Sequence, residues 1–445
     1  MRFLAILSTL LLTLGCSVAR DLPGLGKPAY DPRPDVELFL STSYGNVENQ
    51  VLERLKQNNT SHQTVKKILR ETAGKPRKGG GLQLGLQLEH NNKKYPYALY
   101  IPDSNEPGKV YPLIVVLHGL GGSGDSIIQT WVKRLSGEFA VLCPSYPMGA
   151  WWSKTGEEIV LKLIREVRAA YAVDYNRVFL AGLSNGAIGA YITGMFYPDY
   201  FAGILTIAGS ITERYMHFLV NLVNTPIYII QGVHDPIFPI DTTRRVHQIL
   251  SDLKSPIVYR EHREKGTAHG GHYLPESEIP AMVDWLKAQR RTIGPSVIRM
   301  TREENHMDRI HWVRLSKGKQ LAALQLPGPE RETLNVKDGK IATLFAVHKG
   351  KNRFEIMGKN LLEYEVYLND ELADFDRPVV ITTQEIQEME KQLVPGEKVL
   401  SFHRKVERNM ETLLSGFKAL RDPELLFDAR IKVSVEKTVG FAFKP

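Results

Sequence analysis

One serine in this 445-residue chain stands where its surroundings can activate it. Ser184 lies in the sequence Gly-Leu-Ser-Asn-Gly at 182–186, directly after the apolar run 178–181 and before the helix-forming run 187–191. A buried strand that turns sharply into a helix at such a pentapeptide pushes the serine hydroxyl out over the edge of a sheet, and the flanking glycines supply the room. The sequence therefore predicts a nucleophilic serine; an ordinary glycine-rich turn with a surface serine is the alternative.

A serine hydroxyl needs a base to take its proton and an acid to orient that base. Asp235 comes just after the apolar run 227–230, so we expect its carboxylate at the same sheet edge as Ser184. The alternative is that Asp235 only caps the loop before a predicted helix at 242–253. The neighbouring His234 is interpreted as a loop packing residue rather than as the base.

The stretch 266–272 offers two histidines as the base. We favour His272, because it lies nearer to the amphipathic helix predicted around 279–286. His269 is the alternative base; otherwise it is a loop hydrogen-bonding residue or a substrate contact.

Negative charge that develops on a reacting carbonyl needs aligned N–H donors. The apolar run 113–117 ends in a glycine-rich turn at 118–124, which exposes backbone N–H groups after an early strand. We assign the oxyanion hole to the N–H groups of Leu120 and Asn185. A phosphate-binding loop is the competing interpretation, but the turn lacks the Lys-Ser/Thr ending that such loops carry.

Together these motifs, in this order, resemble the phospholipase/carboxylesterase branch of the α/β-hydrolases over roughly residues 90–290. They are also similar to the esterases grouped with polyhydroxybutyrate depolymerases and feruloyl esterases. The resemblance implies an α/β fold with a doubly wound, mostly parallel sheet, and a serine carboxylesterase whose triad is Ser184, Asp235 and His272. Gln231 is a departure, because many relatives have a histidine there.

Two tryptophans, Trp151 and Trp152, follow the strand predicted to end at Cys143. One of them could form a wall of the substrate pocket and stack on an aromatic acyl group or a sugar ring. The alternative is that both pack against the following helix. The segment 82–291 shows no long lid, which favours a small-molecule or polysaccharide-linked ester as substrate.

Two other function classes stay open. A serine peptidase of the prolyl-oligopeptidase type shares the fold and the triad, but it usually needs acidic residues that hold a peptide amine, and no clear pair is evident. A non-catalytic surface-binding protein on a hydrolase scaffold is the second alternative, against which the complete set of motifs argues.

The composition is that of an ordinary globular protein, with 43% hydrophobic and 24% charged residues. The net charge of +8 includes a basic stretch at 66–78, but no aromatic residues are interleaved for base stacking, so no nucleic-acid partner is expected. The histidines lack paired metal-ligand spacing, so we expect no cofactor and no metal. Cys143 would be alone in the mature chain and is predicted to be buried.

Export is predicted from the N-terminus. Met1 and Arg2 precede the apolar run 3–14, as in a signal peptide, and cleavage is expected after Ala19. The chain would then be secreted or periplasmic. Alternatively, residues 12–16 resemble a lipobox, which would make the protein a lipoprotein anchored at Cys16. No later apolar run is long enough to span a bilayer.

The remaining cues divide the chain into four parts. These are a signal peptide at 1–19; an extended segment, helical hairpin and linker at 20–81; an α/β-hydrolase domain at 82–291; and a β-rich accessory domain at 296–445. The accessory domain carries one amphipathic helix over 406–417. It is predicted either to contact a surface or carbohydrate, or to stabilise and shield the hydrolase.

Overall fold

A computed structural model describes residues 30–73, 79–103, 108–265, 269–306, 308–319, 321–322, 340–389 and 392–435. The predicted signal peptide and Cys16 lie outside the described residues, as does 74–78 of the predicted linker. In the part of the chain that is described, no helix has both the length and the apolar character needed to cross a membrane.

The central element is a sheet of eight strands. They are β1 (Gly81–His90), β2 (Lys93–Ile101), β3 (Tyr111–Leu117), β4 (Ala140–Pro144), β5 (Val173–Leu183), β6 (Gly203–Ile207), β7 (Ile227–Gly232) and β8 (Ile257–His262). Their order in the sheet is β1-β2-β4-β3-β5-β6-β7-β8. The first hairpin pairs antiparallel and adds antiparallel to β4, whereas all pairs from β4 to β8 are parallel. This confirms the predicted α/β class with a mostly parallel sheet.

Helices cover both faces of this sheet. They are α4 (Gly124–Arg134), α5 (Lys154–Ala170), α6 (Asn185–Phe196), α7 (Glu213–Met216), α8 (Ile240–Asp252) and α9 (Ile279–Ala288). Alternate residues of β3 enter two separate apolar clusters: Leu113, Val115 and Leu117 pack in one, and Ile114 and Val116 in the other. Every residue of β3 is buried, as expected for a parallel strand with a helix layer on each side.

Two smaller sheets form the C-terminal region. Their strands are β9 (Val297–Arg302), β10 (Arg309–Ile310), β11 (Val313–Gly318), β12 (Ala342–His348), β13 (Arg353–Lys359), β14 (Leu361–Leu368), β15 (Val379–Met389), β16 (Gln392–Arg404) and β17 (Ala429–Ser434). One sheet has the order β10-β11-β14-β17 and the other β16-β15-β13-β12-β9. Both contribute to one apolar cluster, in which Ile356 and Ile381 of the second sheet join Val366 and Ile431 of the first. The region is β-rich, as predicted.

The N-terminal helices do not stand apart from the rest of the chain. They are α1 (Arg33–Ser41), α2 (Gly45–Gln57) and α3 (His62–Ala73), and they share an apolar cluster with α10 (Met410–Leu420). Helix α1 lies within the segment 20–45 that the sequence predicted to be extended, so that prediction was wrong there. Pro32 and Pro34 are compatible with the first turn of a helix, and Val36 and Phe39 are buried on one face.

A buried ionic cluster joins the helices of the eight-stranded sheet to the C-terminal region. His306, which follows β9, contacts Glu157 of α5 at 3.0 Å through Nε2 and Glu303 through Nδ1. Its ring stacks on Phe196 at the end of α6 with a centroid separation of 3.7 Å, and Tyr197 donates to the second Glu157 oxygen. Burial alone would lower the pKa of His306, but the two carboxylates outweigh it and raise that pKa to about 9. His306 is therefore an imidazolium at neutral pH.

This cluster predicts a loss of stability at alkaline pH. The folded-state pKa of His306 lies above its ordinary value of 6.5. The contribution of the charged His306 to the free energy of unfolding is therefore fully present below about pH 6.5 and disappears as pH rises through about 9. We expect His306→Gln to lower the free energy of unfolding by on the order of 3 kcal/mol at pH 6 and by much less near pH 10. Urea unfolding at both pH values measures the difference.

His311→Gln is the matched control. This buried histidine has its pKa lowered to about 4 by burial, so it is neutral over the whole range from pH 6 to pH 10. Because His311 in the unfolded chain still titrates near pH 6.5, its replacement should cost slightly less stability at pH 6 than at pH 10, by about 1 kcal/mol or less, which is opposite in direction to the effect expected at His306. If the free energy of unfolding depends on pH in the same way in the wild type and in His306→Gln, that result would contradict the assignment of a charged His306.

Candidate active site

Ser184 occupies a strained turn between β5 and α6. Its φ of 58° and ψ of −122° put a non-glycine residue in a rarely populated backbone region, and its side chain is nearly buried. The flanking glycines are required by close backbone packing: a Cβ on Gly182 would lie 2.0 Å from the Gly186 carbonyl oxygen, and one on Gly186 2.0 Å from that of Leu117. The local geometry is that of a serine held out at the carboxyl edge of the sheet.

Asp235 and His272 are in direct contact at the same edge. The Nδ1 atom of His272 lies 2.9 Å from Oδ2 of Asp235. The other carboxylate oxygen accepts the backbone N–H groups of Ile237 at 2.8 Å and Phe238 at 3.0 Å. Two backbone donors to one oxygen fix the plane of the carboxylate. Asp235 thus contacts both the His272 imidazole and the backbone of its own loop, so its geometry is compatible with each of the two roles that the sequence left open.

Gln231 at the end of β7 supplies a further contact that the sequence analysis did not assign. Its side chain is fully buried, and Nε2 donates to Asp235 Oδ2 at 3.0 Å and to the Phe238 carbonyl at 3.1 Å. The same carboxylate oxygen therefore accepts from Gln231 and from His272. The signal in the sequence was a long polar side chain at the end of an otherwise apolar strand, four residues before the acid.

His272 is placed to act through its second ring nitrogen. Its ring stacks on Phe238 with a centroid separation of 5.8 Å, and Nδ1 is engaged by Asp235. Between these described residues, no hydrogen bond joins Nε2 to the Ser184 hydroxyl; that contact often closes only when substrate binds. His269 and His234 are both exposed, and the carbonyl of His269 accepts the N–H of His272.

The glycine-rich turn after β3 lies against the serine. A Cβ on Gly119 would come within 3.2 Å of the Ser184 Cβ. Among the described residues, no side chain or carbonyl accepts the N–H of Leu120 or the N–H of Asn185. Asn185 is the first residue of α6, and the first N–H groups of a helix have no acceptor within that helix. The two N–H groups assigned to an oxyanion hole thus belong to segments that meet at Ser184.

A second loop, residues 145–151, is hydrogen-bonded both to the start of α6 and to the glycine-rich turn after β3. Nδ2 of Asn185 donates to the Met148 carbonyl at 3.1 Å. His118 accepts the N–H of Tyr146 at Nε2 and donates from Nδ1 to the Gly119 carbonyl at 2.7 Å. Burial lowers the pKa of His118, which favours the neutral ring that this pattern of one donor and one acceptor needs. His118 is the first residue of the glycine-rich turn at 118–124, for which the sequence analysis considered only backbone N–H groups; its side chain connects the two loops.

The two tryptophans occupy different environments. Trp151 has no exposed surface, and its Nε1 donates to the His118 carbonyl at 2.8 Å. Trp151 packs beneath the glycine-rich turn, and its ring is not accessible to a substrate. Trp151 therefore does not form the predicted wall of the substrate pocket. Trp152 is half-buried and packs against the main apolar cluster.

Three exposed apolar side chains surround this edge of the sheet. Leu120, Met148 and Ile237 follow β3, β4 and β7, and their exposed fractions are 64%, 66% and 58%. We call this set the apolar rim. Sequence reasoning used only the backbone of Leu120 and missed the other two; the signal was an apolar residue among glycine and proline just past a strand end. The described residues include no group of three or more His, Cys, Asp or Glu able to hold a metal ion.

Comparison with known proteins covers part of the chain. The phospholipase/carboxylesterase family model matches residues 154–289. A probable feruloyl esterase C from Aspergillus terreus is 29% identical over 157 residues, which are 33% of this chain and 56% of that protein. Acyl-protein thioesterase 1 from Eremothecium gossypii is 27% identical over 133 residues, 29% of this chain and 55% of that protein.

The chain therefore spans little more than half the length of these curated relatives. A crystal structure described as a thermostable esterase is 24% identical, has a TM-score of 0.41, and covers 47% of this chain and 63% of its own. The family match at 154–289 contains the serine turn, the acid and both candidate histidines. Residues 154–289 thus match the phospholipase/carboxylesterase family model, and the eight-stranded sheet that contains them has an α/β-hydrolase fold.

Proposed function

We propose that this protein is an exported serine carboxylesterase that forms an acyl-enzyme on Ser184. The observation that carries the proposal is the Asp235–His272 contact at the sheet edge where Ser184 sits in its strained turn. The family of the domain supports the reaction class. Export rests on the signal-like residues 1–19, and the division into a hydrolase domain at 82–291 and an accessory domain at 296–445 stays a prediction.

The proposed reaction has two halves. His272 Nε2 takes the Ser184 proton as Oγ attacks the ester carbonyl, and the N–H groups of Leu120 and Asn185 stabilise the oxyanion. The oxyanion collapses to the acyl-enzyme as the C–O bond breaks, and the imidazolium gives its proton to the leaving alcohol. Water, deprotonated by the same histidine, then releases the acid and restores the serine. Asp235 keeps the imidazole in the tautomer that both halves need.

Gln231 is proposed as a positioning residue for this reaction. Gln231→Ala removes one of the two side-chain donors to Asp235 Oδ2, and we expect kcat for p-nitrophenyl acetate to fall about tenfold with little change in KM. Steady-state kinetics together with thermal unfolding measure the effect. Gln231→Glu, which places a second carboxylate against Asp235, should lose more activity. An alanine variant with the wild-type kcat would contradict this role.

The apolar rim favours esters whose acyl or alcohol part is apolar. The names of the relatives, a feruloyl esterase and an acyl-protein thioesterase, suggest feruloyl and other acyl groups as classes to test. We expect hydrolysis of p-nitrophenyl butyrate and methyl ferulate, and a preference for butyrate over acetate. The double variant Leu120→Ser/Met148→Ser should lower kcat/KM for butyrate about tenfold and reduce that preference, because about 1.5 kcal/mol of apolar contact is lost.

Leu393→Ser is the matched control for the rim variant. Leu393 is 62% exposed but lies on β16 in the C-terminal region, so its replacement should leave kcat/KM for both esters unchanged. If the rim variant hydrolyses both esters like the wild type, the apolar rim does not contact the substrate. If the wild type is inert on every ester but cleaves a peptide nitroanilide, the peptidase interpretation replaces the esterase.

A further inference from the structure

A cavity of about 390 Å³ opens where three distant parts of the chain meet. Its walls come from the C-terminal end of α3, the second half of α5 and the C-terminal end of α10. Tyr175, near the start of β5, also lines it, whereas Ser184 follows the other end of that strand. Nine residues of extended chain span roughly 30 Å, so this cavity is separate from the candidate active site.

The lining of the cavity is rich in cations. The described residues that line it include Lys162, Arg165, Lys418 and Arg421, against the single carboxylate of Glu166. Two of the cations are engaged elsewhere: Lys418 pairs with Glu48, and Lys162 donates to the Glu89 carbonyl.

The two arginines of this set have no carboxylate partner among the described residues. Among the described residues Arg421 donates to the Leu40 carbonyl, and burial lowers the pKa of its guanidinium, an effect that the Tyr175 side chain opposes. Arg165 is half-buried on the neighbouring wall, where its side chain interacts with the Tyr200 hydroxyl. An anion placed between Arg165 and Arg421 would give each guanidinium a charged partner.

A layer of buried charged residues lies beneath the wall. Arg168 and Arg291 share one carboxylate, Asp422, at 3.3 Å and 2.6 Å. Arg168 is 2% exposed, its guanidinium lies 4.5 Å from the ring centroid of Tyr175, and its Nε and Nη1 have no hydrogen-bond partner in the described part of the chain. The buried carboxylate of Asp199 also acts on Arg291, so this layer is close to charge balance, and the excess of positive charge lies in the lining of the cavity itself.

We propose that this cavity, here called the junction cavity, binds an amphiphilic organic anion. Its carboxylate, sulfonate or phosphate head lies between Arg165 and Arg421, and its aromatic or short aliphatic body lies on Ala73, Ala169 and Phe417. Because the walls come from the N-terminal helices, the hydrolase domain and α10, the bound anion also holds these three parts together.

Isothermal titration calorimetry with 2-naphthoate tests the proposal on the full chain. We expect one site on the wild-type protein, binding at least tenfold weaker for the neutral 2-naphthamide and for inorganic phosphate, and a rise in the midpoint of thermal unfolding with 2-naphthoate. Equal binding of the amide would contradict recognition of charge, and equal binding of phosphate would contradict recognition of the apolar body. No naphthoate binding at millimolar concentration would overturn the proposal.

Variants assign the binding to the junction cavity. Arg165→Gln and Arg421→Gln should each weaken 2-naphthoate about tenfold through loss of a charge-assisted contact. Glu166→Gln, which removes the carboxylate from the lining, should tighten binding about threefold, a gain that a misfolded protein cannot mimic. Ser184→Ala should bind like the wild type. Binding that survives both arginine variants, or that is lost with Ser184, would place the anion elsewhere.

Discussion

Replacing Ser184 by alanine is expected to lower kcat for p-nitrophenyl acetate by about 10⁵-fold, because the acyl-enzyme can no longer form. The backbone turn itself should persist, since the packing of Gly182 and Gly186 that shapes it does not involve the hydroxyl. The midpoint of thermal unfolding should therefore stay close to that of the wild type. Activity and unfolding are measured on the same preparation.

Ser210→Ala is the control for this variant. Ser210 is a second buried serine at the same edge of the sheet, shortly after β6, and its hydroxyl has no hydrogen-bond partner among the described residues. Its replacement should leave kcat within about threefold of the wild type. If Ser184→Ala keeps substantial activity, the serine is not the nucleophile and the proposed function fails with it.

The second large effect is expected from His272→Ala, with a loss of about 10⁴-fold in kcat, because the base and its contact to Asp235 both disappear. His269→Ala should keep kcat within about threefold, since the exposed ring of His269 makes no contact with the acid and its carbonyl still accepts the N–H of His272. Measuring both variants on one substrate separates the two candidate bases.

The opposite ranking of the two histidine variants would show that His269 is the base. The esterase class would then stand, but the Asp235–His272 contact would be structural. Comparable losses in both variants, without a change in thermal unfolding, would contradict a single base and would point to a substrate contact by His269.

The sheet and its edge residues could be predicted from the sequence because local signals carry them. Each of the buried strands that support the site is a short apolar run, and a glycine or a polar residue follows where it ends. The connection rule for parallel strands then brings Ser184 and Asp235 to one edge. The sequence favoured His272 over His269 because His272 lies nearer to α9 and on the side where loop histidines of this fold usually emerge. The contact between His272 and Asp235 supports that choice, which stays a proposal.

What the sequence could not show depends on contacts between residues that are far apart in the chain. Helix α1 is held by apolar side chains of α10, which lies more than 350 residues later. The Glu157–His306 contact spans 149 positions, and no local pattern marks either residue as its partner. Gln231 could be noticed as a departure from relatives, but its two hydrogen bonds follow from the path of the loop at 232–238.

Covalent labelling tests the central claim most directly. Incubation of the wild-type protein with diisopropyl fluorophosphate, followed by intact mass and peptide mass spectrometry, should give one adduct per chain on the peptide that carries Ser184. The adduct should be absent from Ser184→Ala and should form far more slowly in His272→Ala, because the hydroxyl is no longer activated. A wild-type protein that stays unlabelled, or that is labelled on a different serine, would contradict an activated nucleophile at Ser184.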